Sequence, residues 1–405
     1  MIQLLTPQVK QTETTSLRSD LASMVSGRAK IAIVLLVTLV YRATSNMLQT
    51  SVPLYAKYVL HTSDLTVSLI VGMANLATIL SLLYLSYSTR PVGKLIFLSL
   101  AAMSISLPLF LVTSNVLSLT LVNLLVTFCL GILSSLLLTA IVLVDDPGTH
   151  ARNLTISYAV LSLSLVFSPI YQSGLLVATN DALIFSMFSF APLVWIAAAL
   201  FFIMRSDNRL SVARGKFEVV FARDPSYWAG ILAYESFNLP FIAILTFGGI
   251  FAKNTFGASY GAIEALFAVF FLTSFIVRVL LVKVPSTNER ITIISCSLIV
   301  VGLLLAGFSS SIWMLAFALI MLGYSHGVSF PIGARQIADA VPREKLVAAF
   351  TVCLLIDNSL SLVATPALGL IAQFFGLSLM FLAIEAPTIL IEATYLLIMR
   401  RVRGK

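Results

Sequence analysis

Long apolar runs alternate with short polar turns along almost the whole chain. A bilayer core about 30 Å thick needs about 20 residues of α-helix to cross it. Cutting the sequence at clusters of charge, Pro and Gly predicts twelve such helices, at residues 29–55, 66–88, 95–113, 116–144, 153–177, 182–204, 226–252, 258–284, 291–309, 311–333, 346–372 and 377–400. The sequence therefore predicts an all-α integral membrane protein with twelve transmembrane helices.

One long polar interruption, from Arg205 to Asp224, separates six helices from the other six. The predicted organisation is a cytoplasmic N-terminal tail, a six-helix half, a cytoplasmic linker, a second six-helix half and a short cytoplasmic tail, at residues 1–28, 29–204, 205–225, 226–400 and 401–405. The apolar run that begins at Ile31 starts like a signal peptide. It lacks a small-residue cleavage site and continues past the usual length, so we interpret it as a retained first helix.

Composition agrees with a membrane location. Hydrophobic residues make up 59% of the chain and charged residues only 10%. A water-soluble protein of this length would have to expose large apolar surfaces with such a balance. Lipid must therefore be the solvent for most of the chain.

The distribution of basic residues predicts the orientation. With the N-terminus inside, Lys57 and Lys253 lie outside and Arg42 and Arg278 lie within the membrane, which leaves 21 of the 25 basic residues in the cytoplasm. Because basic residues concentrate in cytoplasmic loops, both termini are predicted to be cytoplasmic, in a cell membrane. This pattern also accounts for the net charge of +8 without a nucleic-acid partner.

The sequence offers no constellation typical of an enzyme, a metal site or a cofactor site. Cys129, Cys296 and Cys353 lie far apart in apolar runs, and the three histidines are equally scattered. No zinc-binding helix motif, phosphate-binding glycine loop or serine nucleophile elbow is present. We therefore predict neither catalysis nor a metal ion nor a cofactor.

The two halves resemble each other when shifted by about 196 residues, as expected of an internal repeat. Ala56 and Lys57 then lie on Ala252 and Lys253, and Lys94 lies on Arg290. The repeat predicts two pseudo-symmetric six-helix bundles.

Twelve helices, two halves and a long central loop make the chain resemble the major facilitator superfamily. The motif of that family between helices 2 and 3 reads G-x-x-x-D-R-x-G-R/K, and here Gly93 and Lys94 match while Arg90 stands in place of the Asp. The second copy keeps Arg278, Lys283 and Arg290. The resemblance implies that these six residues belong to gating loops. Ser168-Pro169 and Gly174 are similar to the antiporter motif of helix 5, which favours export.

A polar stripe on helix 1 predicts a central cavity. Arg42, Asn46 and Gln49 share one helix face, which would be untenable against lipid. Helix 7, its repeat mate, carries Tyr234, Glu235 and Asn238. In the resembled family these two helices face each other, so we expect Arg42 and Glu235 to oppose each other across the cavity. They either take part in transport, paired directly or through water or substrate, or form a fixed ion pair that holds the halves together. Asn123 on helix 4 and Gln172 on helix 5 are further candidates.

Asp357 is the main candidate for proton coupling. A carboxyl about ten residues into helix 11 is costly when charged and cheap when neutral, which suits a proton carrier. The alternative interpretation is that Asp357 is a structural carboxylate, buried and fully hydrogen-bonded to its neighbours. Glu235 and His326 are the other candidates, although a lone His in an apolar helix is more often a core residue.

The function predicted from the sequence is secondary active transport of a small organic solute by alternating access, coupled to protons, with export favoured. The expected partners are the solute, the proton and the lipid bilayer, and the chain is expected to act as a monomer. Two alternatives stay open: a uniporter or importer of a sugar or metabolite, and a membrane receptor that transports nothing.

Overall fold

A computed structural model describes residues 27–144, 150–204, 209–210, 224–281, 289–342 and 345–403. Within these residues, twelve helices are long and apolar enough to cross a membrane. The predicted fold class of twelve spanning helices is confirmed. The predicted tail 1–28 and linker 205–225 lie almost entirely outside the described residues.

The N-terminal half contains six helices, here named α1 to α6. Several extend a few residues beyond the predicted runs, because polar residues at the membrane surface continue the helix. Their bounds are Gly27–Tyr58, Asp64–Tyr87, Val92–Val112, Val116–Val144, His150–Ala178, and Leu183–Phe188 continued by Ala191–Met204.

The C-terminal half contains α7 to α12. Their bounds are Pro225–Phe256, Tyr260–Leu281, Glu289–Gly307, Ile312–Ala340, Leu346–Phe375, and Leu377–Ala383 continued by Glu385–Arg403. Polar caps fix several starts: the side chains of Ser63 and Ser311 each accept a hydrogen bond from a backbone N–H in the first turn of α2 and α10.

The seventh helix is interrupted near its middle. Its first part ends at Glu235, a new part begins at Asn238, and a π-helical turn follows at Ile244–Gly248. Pro240 lacks the backbone N–H that would bond the carbonyl of Ser236, so the helix breaks at that point. The polar residues Glu235 and Asn238 therefore lie where the backbone of α7 is irregular.

Pro169 has a similar effect inside α5, where it leaves the carbonyl of Leu165 without its usual backbone donor. The Asn46 side chain of α1 fills this position, with its Nδ2 atom 3.5 Å from the Leu165 oxygen. Ser168 donates a hydrogen bond to the carbonyl of Ala43 at 3.0 Å. The freed backbone of α5 thus binds α1 to α5.

The two halves meet along three helix pairs: α2 with α11, α5 with α8, and α1 with α7. Gly369 allows the closest approach, because a Cβ atom there would overlap Ser68 of α2. Gly72 of α2 lies against Pro366 of α11. Small residues at helix crossings let the backbones come together in this way.

Cross-half contacts close one end of the molecule, the end with the α1–α2, α5–α6 and α7–α8 turns, called here the outer end. The hydroxyl of Tyr58 donates to Asn254 Oδ1 at 2.7 Å. Asp181 Oδ1 accepts from the Gly261 N–H at 3.1 Å, and Ser173 donates to the Gly261 carbonyl at 2.8 Å. The halves are therefore joined at the outer end.

Candidate functional site

The polar face of α1 is open in the middle of the molecule. Arg42 and Ser45 are half-buried and Gln49 is exposed. Because α1 packs against α2, α4, α5, α6 and α7, these positions face the space between the halves. The outer end of this space is closed by the contacts described above.

Three predicted cavity residues are buried inside the N-terminal half. Asn46 turns toward α5, as described above. Gln172 is fully buried, where its Oε1 accepts hydrogen bonds from Ser51, at 2.8 Å, and from Ser186, while its Nε2 donates to Ser168 at 3.2 Å. Gln172 therefore joins α1, α5 and α6. Asn123 is also buried, on α4.

Tyr234, Glu235 and Asn238 lie at the interruption of α7. Glu235 and Asn238 are buried, and Asn238 Nδ2 donates to Glu235 Oε2 at 2.8 Å. The second oxygen of Glu235 is buried without a hydrogen-bond partner. Tyr234 is half-buried and packs edge-on against Phe330 of α10, with 4.4 Å between ring centroids.

Asp357 lies on α11 beside this part of α7. Its backbone carbonyl accepts from Asn238 Nδ2 at 3.3 Å, and its half-buried side chain interacts electrostatically with Arg42 and with Glu235. Among the described residues, Arg42 and Glu235 form no ion pair within 4 Å. A direct pair was one of the arrangements left open by the sequence. In the structure, Asp357 interacts electrostatically with each of these two residues.

Arg278 and His326 form the other side of the site. The Arg278 guanidinium reaches across the interface to Ser162 of α5, with Nη1 3.2 Å from the Ser162 hydroxyl. Its Nη2 lies 3.4 Å from Nδ1 of His326, which also bonds the hydroxyl of Ser274 at 2.7 Å. His326 is buried among five phenylalanine rings, those of Phe237, Phe241, Phe270, Phe271 and Phe330.

These side chains make up one group, here named the central cluster: Arg42, Tyr234, Glu235, Arg278, His326 and Asp357. Electrostatic interactions connect Arg42 with Tyr234, Arg278, His326 and Asp357. Arg42 belongs to the N-terminal half and the other five to the C-terminal half. Charged and titratable side chains from both halves therefore meet where the two halves face each other.

The predicted gating residues lie apart from the central cluster, with the exception of Arg278. Arg90, Lys94 and Arg290 are exposed at helix ends. Gly93 is buried, and its N–H donates to the carbonyl of Leu210 at 3.1 Å, which ties the α2–α3 turn to the chain after α6. Lys283 lies outside the described residues.

Glu264 is a buried carboxyl that the sequence analysis missed. It lies near the outer end of α8, is fully buried, and faces the Thr50 hydroxyl of α1 in the opposite half. The Thr50 hydroxyl donates within its own helix, to the carbonyls of Asn46 and Met47. Among the described residues, neither Glu264 oxygen has a partner at hydrogen-bonding geometry. In the sequence, Glu264 could have been recognised as the single acidic residue in the apolar run Tyr260–Leu281.

Comparisons with solved structures support the fold. A bacterial homologue of the human lysosomal transporter Spinster, in an inward-facing and occupied conformation, has a TM-score of 0.70 at 14% identity, covering 91% of this chain and 96% of that one. The nucleoside transporter NupG gives 0.68 at 10%, covering 91% and 98%. A POT family transporter in complex with a thioalcohol-conjugated peptide gives 0.72 at 12%, covering 92% and 96%.

Sequence comparison gives a narrower match. Residues 252–405 match the family model described as Major Facilitator Superfamily, and no curated protein sequence matches the chain. The matched segment contains α8 to α12 and, with them, three members of the central cluster: Arg278, His326 and Asp357. The C-terminal part of the chain is therefore similar to the Major Facilitator Superfamily, and the whole chain shares the twelve-helix fold of these solved membrane transporters.

Proposed function

We propose that this protein is a secondary active transporter that moves a small organic solute by alternating access, coupled to protons, with export as the favoured direction. The observation that carries the proposal is the central cluster, which places charges from both halves in a space closed at the outer end. The solved neighbours include a nucleoside transporter and a peptide-bound POT family transporter, so the shared fold does not choose among substrates.

Asp357 is the proposed proton carrier. It lies on a helix that contacts the opposite half through α2, and its side chain is half-buried near Arg42. A carboxyl in apolar surroundings is costly when charged, so it exchanges its proton with whichever side the space opens toward. Glu235 of α7 and His326 of α10 contribute to the electrostatic field around Asp357.

The test separates proton coupling from solute movement in proteoliposomes. Asp357→Asn preserves the volume of the side chain but holds no titrating proton. We expect gradient-driven accumulation or efflux to be lost, while solute exchange, which needs no net proton movement, continues. Asp339→Asn, at an exposed position near the end of α10, is the matched control and should keep gradient-driven transport.

Two outcomes would contradict this proposal. Gradient-driven transport at the wild-type rate in Asp357→Asn would show that this carboxyl is structural, and the coupling group would have to be Glu235 or His326. Solute flux that ignores the proton gradient in the wild type would make the protein a uniporter. We further propose that the protein acts as a monomer in the cell membrane, with both termini in the cytoplasm.

A further inference from the structure

Arg278 holds a positive charge inside the membrane without a carboxylate. In the described part of the chain its guanidinium contacts the hydroxyl of Ser162 and the ring of His326, and its Nε atom is buried with no acceptor there. Among the described residues, no carboxylate lies within 4 Å of this guanidinium. A guanidinium stays charged under all ordinary conditions, so the positive charge of Arg278 is not removed by loss of a proton.

His326 does not compensate for that charge. A neutral imidazole carries no negative charge, whichever of its nitrogens accepts from Arg278 and whichever bonds the Ser274 hydroxyl. Arg42 adds a second guanidinium, which interacts unfavourably with both Arg278 and His326. The Asp357 carboxyl interacts with Arg42, and Glu235 is bonded to Asn238 on the side of α7. The Arg278 side of the central cluster is therefore positive.

An apolar wall borders this positive side. Phe241 stacks on His326, with 4.8 Å between ring centroids and 10° between the planes. Phe241, Phe330 and Tyr234 are each half-buried, and both Tyr234 and Phe241 pack edge-on against Phe330. Such a surface binds the flat face of an aromatic ring or an aliphatic chain.

We infer that the central cluster binds organic anions: a solute with one oxyanion group, held by the planar donors of Arg278 with Arg42 nearby, and an apolar, preferably aromatic, body held against Tyr234, Phe241 and Phe330. A guanidinium presents paired N–H donors that match two oxygens of a carboxylate, sulfonate or phosphate. The anion supplies the negative charge that the protein does not place beside Arg278.

The position of Arg278 gives this binding a role in transport. Its guanidinium lies on α8 and contacts Ser162 on α5, so an anion bound there touches both halves at once. Solute binding would then favour the arrangement in which Arg42, Ser162 and Arg278 come together. This inference rests on the proposed transport function and specifies its substrate class.

The test uses three probes that share one ring system and differ in charge: naphthalene-2-sulfonate, naphthalene-2-sulfonamide and 2-naphthyltrimethylammonium. A ligand that binds the folded protein raises its melting temperature. We expect the sulfonate to raise the melting temperature of the purified wild type more than the other two. Arg278→Gln should weaken sulfonate binding about tenfold or more, since charge-assisted hydrogen bonds are lost. Arg278→Lys, which keeps the charge without the paired donors, should give an intermediate loss.

Arg401→Gln is the matched control, because Arg401 is exposed at the end of α12. It should leave sulfonate binding unchanged. Equal or stronger binding of the sulfonamide or the ammonium probe would overturn the inference, as would sulfonate binding that does not depend on Arg278. No binding by any probe would also overturn it, since the site is inferred to accept this ring system.

Flux measurements in proteoliposomes distinguish this inference from the proposed function. Sulfonate binding that depends on Arg278 but produces no flux would leave the anion site intact and remove transport. Flux of the neutral or cationic probe, with none of the sulfonate, would keep transport and remove the anion site.

Discussion

At the scale of single residues, Glu264 shows how costly a buried polar group can be. Its side chain is fully buried and its two oxygens lack hydrogen-bond partners. An unsatisfied buried polar group costs about 1–3 kcal/mol in proteins. Glu264→Leu removes that cost and fills the space with an apolar side chain of similar size. We expect a higher melting temperature of the detergent-purified protein.

Glu264→Gln serves as the control for that experiment, because it keeps a polar group at the same place and should raise the melting temperature less. A lower melting temperature in Glu264→Leu would show that the carboxyl has a stabilising partner in the protein as it exists.

Residues with a charge were easier to predict than the residues they interact with. An ionisable side chain in an apolar run is conspicuous, so Arg42, Glu235, His326 and Asp357 were recognised from the sequence. Their neighbours depend on how twelve helices pack, which no local pattern contains. Gln172 illustrates this, because its amide is used entirely by Ser51, Ser168 and Ser186.

At the scale of helices, the carbonyl freed by Pro169 predicts a coupling between two residues far apart in sequence. Asn46→Leu removes the side-chain donor that lies 3.5 Å from the Leu165 oxygen. In a Pro169→Ala background the backbone N–H of residue 169 can bond that oxygen instead. We therefore expect Asn46→Leu to cost about 1 kcal/mol less in the Pro169→Ala background than in the wild type. Melting temperatures of the four proteins measure the difference, and equal losses in both backgrounds would rule out the coupling.

The crossing of α2 and α11 predicts a way to separate the halves at the outer end. In Gly369→Ala the new methyl group would lie 2.5 Å from the Ser68 Cβ and 3.0 Å from the Asp64 carbonyl oxygen. Backbone must shift to accept it. We expect spin labels on Ser63 and Phe375 to move apart in distances measured by pulsed electron resonance.

Gly72→Ala is the matched control on the other side of the same crossing. There the nearest atoms, from Pro366, lie at 3.4 Å, an ordinary contact. The label distance should stay at its wild-type value. If both variants, or neither, change the distance, the Gly369 contact does not hold the outer end closed.

At the scale of the whole molecule, the count of helices followed from the sequence because the bilayer fixes the length of an apolar run. The division into two halves followed from one long polar interruption. The closed outer end did not follow, since it depends on contacts such as Tyr58 with Asn254 that join distant helices. The orientation in the membrane remains a prediction from the basic residues.

Cysteine labelling in whole cells tests that orientation. In a variant lacking Cys129, Cys296 and Cys353, new cysteines at the exposed positions Ser63 and Asn180 should react with a membrane-impermeant maleimide. A cysteine at Thr89, exposed in the α2–α3 turn, should react only after the cells are opened. The reverse pattern would invert the topology.

The interruption of α7 has a consequence for how the two halves share the work of moving. Its repeat mate α1 is a continuous helix of 32 residues, whereas α7 is interrupted at Ser236 and Phe237, has Pro240 in place of a donor to the Ser236 carbonyl, and contains a π-helical turn. A helix bends most readily where its backbone bonds are missing. The two halves share a fold, but the matching helices α1 and α7 therefore differ in stiffness. In this pair of helices, α7 contains a joint that α1 does not share.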